Sequence, residues 1–374
     1  MTAIFFLVVG TNLLVVGADW LVKGASRLAA LAAISPLVIG LTVVAFGTSA
    51  PEMAVSISAS LSGNEDLAVG NVVGSNIFNV LLILGISALI VPLTVHQKLI
   101  RFDVPLMIVV SWLSWVFADD RMISFQEGAL LFFGLILFTA GSVIFGKDEP
   151  DDVVREYAAE FPSEATTPDV ADTERPASGR NRGPIAVLLI LVGLGLLILG
   201  SKLLVLGATE MARWWGVSEL IIGLTIVAGG TSLPEVATSV VAAVRGERDI
   251  AVGNVIGSNL FNLLGVLGLA AVVASGGVPV GDQAFRFDIP LMVAVATICF
   301  PICLARGEIG RWEGALFLVL YLLYIATLIH LARNDDVPAE LYVRLQWWIQ
   351  IIAAATFILP LLLLGRKRTA DVSS

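Results

Sequence analysis

The chain has 374 residues, of which 57% are hydrophobic and only 14% are charged. Soluble domains carry about 25% charged residues, so this composition excludes an ordinary soluble protein and favours one embedded in a lipid bilayer. With a formal net charge of −9 and no basic stripe, no nucleic-acid partner is expected.

Apolar runs that could cross a bilayer, which takes about 20 residues per helix, recur along the chain. Eleven are predicted: 3–22, 33–60, 67–93, 104–118, 123–145, 184–206, 217–244, 250–279, 287–305, 312–332 and 346–365. The opening residues MTAIFF carry no basic group, so the first run is interpreted as a retained helix and not as a cleaved signal. The predicted fold class is therefore an all-α polytopic membrane protein.

The fifth and sixth runs are separated by an acidic, proline-containing segment. Its composition offers too little apolar surface for a packed core and is typical of a flexible linker. The predicted organisation is a first unit at 1–146, a linker at 147–183, a second unit at 184–333, and an extra helix with a basic tail at 334–374.

An internal repeat organises the two units. Residues 40–85 and 223–268 align without a gap at a constant offset of 183, and 28 of the 46 positions are identical. Each unit thus contains five predicted helices. A second copy of an odd-numbered unit must enter the membrane from the opposite side, so the sequence predicts inverted-topology repeats, with any binding site at their interface near mid-bilayer.

The positions of lysine and arginine predict the orientation of the chain in the membrane. With the N-terminus outside and the 147–183 linker inside, 16 of the 22 basic residues fall on the inner side. Basic residues are enriched in cytoplasmic loops, so this orientation in the cell membrane is favoured over its inverse.

Four small or polar residues, Ala45, Thr48, Ser49 and Glu52, share one helical face, because their spacing is i, i+3, i+4 and i+7. Pro51 lies among them and is expected to break the helix and free carbonyl oxygens near Ala45. Such backbone is tolerated at membrane depth only where it lines a cavity or is buried in protein.

The second unit repeats this face, and the helix after each break carries a serine and an asparagine at i and i+4. The matching residues are Ala228, Thr231, Ser232 and Glu235, then Ser75 and Asn79 in the first unit, and Ser258 and Asn262 in the second. All offer oxygen ligands, as hard cations such as Ca²⁺ require, and two carboxylates match the double charge of that ion. An intramembrane glutamate is by default a functional residue.

Other polar and small residues of the repeat are open to structural readings. Asn71, Asn76, Asn254 and Asn259 are left between structural and ligand roles. The paired glycines Gly70, Gly74, Gly253 and Gly257 are interpreted as sites of close helix packing.

The motifs GTSAPE and GTSLPE, each followed by GNVVGSN or GNVIGSN, closely resemble the two repeats of the calcium/cation antiporter superfamily, specifically the prokaryotic sodium/calcium exchangers. The resemblance covers residues 1 to about 332. It implies ten core helices in inverted repeats and countertransport of Na⁺ against Ca²⁺. It also implies cation ligands at Ala45, Thr48, Ser49, Glu52, Ser75, Asn79, Ala228, Thr231, Ser232, Glu235, Ser258 and Asn262. The partners expected are thus Ca²⁺, Na⁺ and the bilayer, without a cofactor.

Two features depart from this resemblance, and two functional alternatives stay open. Some relatives carry aspartate at the place of Asn262, and the run 346–365 exceeds the ten-helix core. A proton/calcium exchanger is the nearest alternative function, and a passive cation channel is a more distant one. No HExxH, GxSxG or nucleotide-loop pattern occurs, so an enzyme is not predicted.

Overall fold

A computed structural model describes residues 2–32, 34–62, 65–145 and 182–333. Within these ranges eight helices are long and apolar enough to cross a membrane, which confirms the polytopic all-α fold. The first half contains α1 (Thr2–Ala32), α2 (Pro36–Thr48), α3 (Ala50–Leu61), α4 (Leu67–Ile90), α5 (Leu99–Phe117) and α6 (Phe125–Phe145). The second contains α7 (Arg182–Trp214), α8 (219–227), α9 (Leu233–Val244), α10 (Arg248–Val273), α11 (284–306) and α12 (Arg311–Arg333).

Most helices follow the predicted apolar runs to within a few residues, with one correction in length. The runs 33–60 and 217–244 are each divided between two helices, in agreement with the break expected beside Pro51. Helices α1 and α7, which correspond to the first and sixth predicted runs, are longer than predicted. Hydropathy alone underestimates the length of α1, because this helix continues past the apolar run through charged residues. One of them, Lys23, forms an ion pair at 3.0 Å with Asp19, one turn earlier. The linker 147–183, except for the two residues that begin α7, and the run 346–365 lie outside the described residues.

Helices α1 and α7 occupy the same place in the two halves and pack against each other along most of their length. Small residues bring the two backbones together: a Cβ on Gly10 would lie 2.8 Å from the Gly200 carbonyl oxygen, and one on Gly24 would lie 2.8 Å from the Ala186 carbonyl oxygen. Positions early in α1 therefore face positions late in α7. Because these equivalent helices are antiparallel, the two halves are inverted relative to each other, as predicted from the odd helix count.

Four two-residue strands, which the sequence did not predict, tie the halves together. Strand β1 (Leu93–Thr94) pairs antiparallel with β4 (Glu308–Ile309), and β2 (Met122–Ile123) pairs antiparallel with β3 (Val278–Pro279). Each pair joins one half to the other, and exchanging the halves converts one pair into the other. The strands thus follow the same two-fold relation as the helices.

Three helical segments in each half contain a π-helical stretch at matching positions. The stretches are Gly40–Val44 with Gly223–Val227, Asn79–Ile83 with Phe261–Leu267, and Leu99–Asp103 with Ala284–Asp288. A π turn shifts the backbone hydrogen bonds by one residue and is frequent at functional sites. Two of the pairs contain, or directly precede, predicted site residues.

Candidate functional site

The site forms where the broken helices of the two halves meet. Helices α2 and α3 bend by 45° at Ser49, two residues before Pro51. Proline has no N–H to donate to the carbonyl four residues back, so the helix opens there. The Ala45 carbonyl, which is expected to be freed by the break, accepts the Ser49 backbone N–H at 3.0 Å across the bend in this conformation. A carbonyl oxygen has two lone pairs, so this contact does not prevent it from binding a cation.

Glu52 and Glu235 lie in the first turns of α3 and α9, and both are fully buried. Each accepts a hydrogen bond from a hydroxyl of the opposite half. Ser232 donates to Glu52 Oε1 at 2.9 Å, and Ser49 donates to Glu235 Oε1 at 3.3 Å. The positive end of a helix dipole faces each carboxylate. The structure therefore brings the two glutamates of the repeat to one interface.

The remaining predicted hydroxyls join the same network. Ser232 also lies 3.1 Å from Ser75, and Thr48 lies 3.4 Å from Ser258, oxygen to oxygen. Two asparagines that sequence reasoning left open complete the contacts. Thr48 donates to Asn254 Oδ1 at 3.1 Å, and Thr231 donates to Asn71 Oδ1 at 3.4 Å. Polar groups of each half are thus satisfied by the other half.

Four buried oxygens at this interface receive no hydrogen bond from any described residue. They are Glu52 Oε2, Glu235 Oε2, Asn79 Oδ1 and Asn262 Oδ1. They form two symmetry-related pairs, and all four can act as acceptors when the glutamates are ionised. Buried acceptors without donors are rare because each costs about 1–3 kcal/mol. Oxygen acceptors of this kind are the ligands that a hard cation requires.

The two halves differ in how much of the site is open. Ala45 and Thr48 are completely buried, whereas their counterparts Ala228 and Thr231 are exposed and partly exposed. A cavity of about 870 Å³ between α3 and α7 reaches Thr231 and extends past Ser62 and Lys202. Around the described residues, the site is therefore less enclosed on the side of the α3–α4 connection than on the side of Ala45 and Thr48.

The paired glycines show the same difference. A Cβ on Gly257 would lie 2.7 Å from the Leu41 carbonyl oxygen, and one on Gly253 would lie 3.1 Å from that of Leu37, so α2 packs directly on α10. No atom of the described residues lies within 4 Å of a Cβ built on Gly70 or Gly74. The close-packing interpretation thus holds for the second-half glycines but not for their first-half counterparts.

Charged residues cover the closed side. Asp19 on α1 forms ion pairs with Lys23 and with Arg245, which follows α9. Ser26 donates to Glu247 at 2.9 Å, and burial raises the pKa of the Glu247 carboxyl. On the open side the position equivalent to Asp19 is Lys202, which lines the cavity. The two halves therefore carry opposite charges at this pair of equivalent positions.

Sequence reasoning missed the two methionines that approach the site from α5 and α11. Met107 and Met292 are buried, and each sulfur receives an amide N–H of an asparagine of the repeat. A signal was present in the sequence, because the RFDVPLM and RFDIPLM motifs place the methionines at equivalent positions.

Comparisons with known proteins agree with this geometry. The sequence profile of the family described as sodium/calcium exchanger protein matches residues 2–144 and 185–330. CaxA of Alkalimonas amylolytica is 40% identical over 327 residues, which cover 87% of this chain and 98% of that protein. The sodium/calcium exchanger MaX1 of Methanosarcina acetivorans is 33% identical over 326 residues, covering 82% of this chain and 93% of that one.

A solved structure shows the same arrangement of helices. The sodium-calcium exchanger NCX_Mj, soaked with 10 mM Na⁺ and 10 mM Sr²⁺, superposes with a TM-score of 0.71 at 30% sequence identity. The match covers 87% of this chain and 98% of that one. The matched proteins with named functions are transporters and not enzymes.

Proposed function

Because this chain belongs to the sodium/calcium exchanger protein family, we propose that it is driven by Na⁺ and binds its cations at the site described above. The coarser function, exchange of calcium and other cations across a membrane, follows from the family itself. The observation that carries the finer proposal is the group of four donor-free oxygens, two of them from Glu52 and Glu235.

Calcium is expected at the centre of this group. Hard divalent cations take about six to eight oxygen ligands at flexible distances, and two ionised glutamates balance the charge of one Ca²⁺. The central ligands proposed are Thr48, Glu52, Thr231 and Glu235. Each glutamate already accepts a hydrogen bond from a serine of the opposite half, and these serines, Ser49 and Ser232, directly follow Thr48 and Thr231 in the chain.

Sodium is expected to use the same carboxylates together with neutral oxygens around them. The proposed neutral ligands are the carbonyls of Ala45 and Ala228 and the side-chain oxygens of Ser49, Ser75, Asn79, Ser232, Ser258 and Asn262. Since both ions need the two glutamates, they compete for one site. Competition of this kind makes binding of the two cargoes mutually exclusive, which exchange requires.

The closed side argues for alternating access over a channel. Ala45 and Thr48 are buried beside the site, while the cavity reaches Thr231 from the other side. Because the two halves are inverted repeats, each half can adopt the arrangement that the other has now. Such an exchange would close the side that is open here and open the opposite side. With the N-terminus outside, as the basic residues favour, the cavity opens outward and the 147–183 segment lies on the cytoplasmic side of the cell membrane.

The coupling ion is tested with purified protein in potassium-free liposomes. We expect calcium uptake to need Na⁺ inside the liposomes, to stop when choline replaces that Na⁺, and to be unaffected by added K⁺. The physical reason is that Asn79 and Asn262 are neutral amides, so the site offers two charges and no further titrating carboxylate. Uptake that persists in choline and follows an imposed pH gradient would establish the proton-coupled alternative, and flux down the calcium gradient alone would indicate a channel.

The C-terminal segment provides a separate prediction. The family match ends at residue 330, and all proposed ligands precede it. We therefore expect removal of residues 340–374 to leave Na⁺-driven calcium uptake within about twofold of the full chain, measured per reconstituted protein. A truncated protein that stays folded but transports no calcium would place this segment in the mechanism.

A further inference from the structure

The ligand amides of Asn79 and Asn262 each face a second asparagine from the opposite half. Asn79 Nδ2 donates to Asn259 Oδ1 at 3.0 Å, and Asn262 Nδ2 donates to Asn76 Oδ1 at 3.1 Å. All four side chains are buried. The two contacts are equivalent under the repeat, so they are a feature of both halves.

The outer asparagines are themselves oriented by methionine. Asn259 Nδ2 lies 3.4 Å from Met107 Sδ, and Asn76 Nδ2 lies 3.7 Å from Met292 Sδ. Asn76 Nδ2 also donates to the Asn259 backbone carbonyl at 3.3 Å. A thioether sulfur carries no hydrogen and can only accept. Each outer amide must therefore turn its nitrogen to the sulfur and its oxygen to the ligand asparagine.

This orientation determines which end of the ligand amide faces the cation. The oxygen of Asn76 can only accept, so Asn262 must present its nitrogen there and its oxygen to the interior, and the same holds for Asn259 and Asn79. Both interior oxygens are among the four that lack a donor. A reversed amide would instead point N–H groups at the cation. We propose that Asn76 and Asn259, seated on Met292 and Met107, are positioning residues that hold the carbonyl oxygens of Asn79 and Asn262 toward the transported cation.

The same contacts select an amide over a carboxylate at positions 79 and 262. A carboxylate has no hydrogen for the oxygen of Asn76 or Asn259, so it would require the outer amide to reverse and lose its contact with sulfur. The site is thereby kept at two negative charges. This inference rests on the proposed function, and it adds the groups that determine the ligand geometry.

The test is a double-mutant cycle between positions 76 and 262, read out as Ca²⁺ affinity by calorimetric titration of the purified protein and as the KM of Ca²⁺ uptake. Partners that orient a metal ligand typically change affinity by about 10- to 100-fold when removed. We expect Asn76→Ala to weaken Ca²⁺ binding by that factor when residue 262 is asparagine. In the Asn262→Asp background, where either end of the side chain is an oxygen, the same substitution should change affinity by less than about threefold.

Equal losses in the two backgrounds would mean that Asn76 serves packing alone and would overturn the proposal. The cycle between Asn259→Ala and Asn79→Asp should behave the same way. If Asn76→Ala does not fold, Met292→Leu carries the test, because it keeps the volume and removes only the acceptor; Met211→Leu on α7 is its control. Unchanged Ca²⁺ affinity in a folded Met292→Leu protein would also count against the proposal.

Wild-type protein is assayed for Na⁺-driven uptake in the same preparations. If the wild type transports no calcium, the proposed function fails. If it transports normally and the cycle shows no coupling, only the positioning role fails.

Discussion

We expect Glu52→Gln and Glu235→Gln each to reduce calcium uptake by at least about 100-fold while the protein stays folded in the membrane. Each substitution removes half of the negative charge that faces a divalent ion. It also replaces one carboxylate oxygen by an NH₂ group. Because the hydroxyl of Ser232 or Ser49 donates to Oε1, the amide is expected to keep its oxygen there and to place its NH₂ group where Oε2 now lies. Removing one partner of a buried charge pair costs about 3–5 kcal/mol, which corresponds to a factor of 100 or more.

The measurement is Na⁺-driven calcium uptake into liposomes, with protein amount and monodispersity checked for each variant. Asp119→Asn is the matched control, since it removes an exposed carboxylate from the turn after α5, outside the site. Near-normal uptake by either glutamine variant would show that the cation ligands lie elsewhere.

Gly74→Val is expected to hold the transporter in the conformation seen here and to lower the exchange rate by about 10- to 100-fold. No described atom lies within 4 Å of a Cβ at Gly74, so this conformation accommodates the larger side chain. In the opposite conformation α8 would pack on α4 as α2 now packs on α10, where a Cβ on Gly257 lies 2.7 Å from a backbone oxygen. Overpacking of this kind costs about 1–3 kcal/mol, which sets the expected factor.

The trapped conformation can be detected by labelling. A cysteine introduced at Ser58, which lines the cavity, should react faster with a membrane-impermeant maleimide in Gly74→Val than in the parent protein. The parent protein without the added cysteine gives the background labelling from the two native, buried cysteines, Cys299 and Cys303. Gly195→Val, on an open face of α7, is the control for glycine replacement. Normal exchange and unchanged labelling in Gly74→Val would contradict the proposed movement of α8.

Gly257→Val should act in the opposite sense and disfavour the present conformation.

Much of this protein could be predicted from its sequence, because the constraints involved are local or compositional. A bilayer-spanning helix must be apolar over about 20 residues, so hydropathy located most helices. Two near-identical segments that each contain a proline and a glutamate at the same positions indicated a paired site without any knowledge of packing. The inversion followed from the odd helix count, and the antiparallel contact of α1 with α7 agrees with it.

Tertiary structure decided what the repeat itself could not. Gly74 and Gly257 stand in nearly identical sequence, as do Ala45 and Ala228, so local preferences are almost the same for each pair. Yet one glycine is packed against backbone and the other is not, and Ala45 is buried while Ala228 is exposed. Segments this similar differ in burial mainly through the neighbours that each one meets. The open side of the transporter is therefore set by how α2 and α8 pack on the rest of the molecule.

The orientation of the amides proposed as ligands has the same origin. The sequence by itself determined that asparagines stand at positions 79 and 262. An amide accepts through its oxygen and donates through its nitrogen, and residue identity does not determine which of the two faces the site. Contacts from the opposite half, through Asn76 and Asn259 to the methionine sulfurs, decide which end faces the site. These partners are separated from the ligands by 180 or more residues, a range at which local sequence preference cannot act.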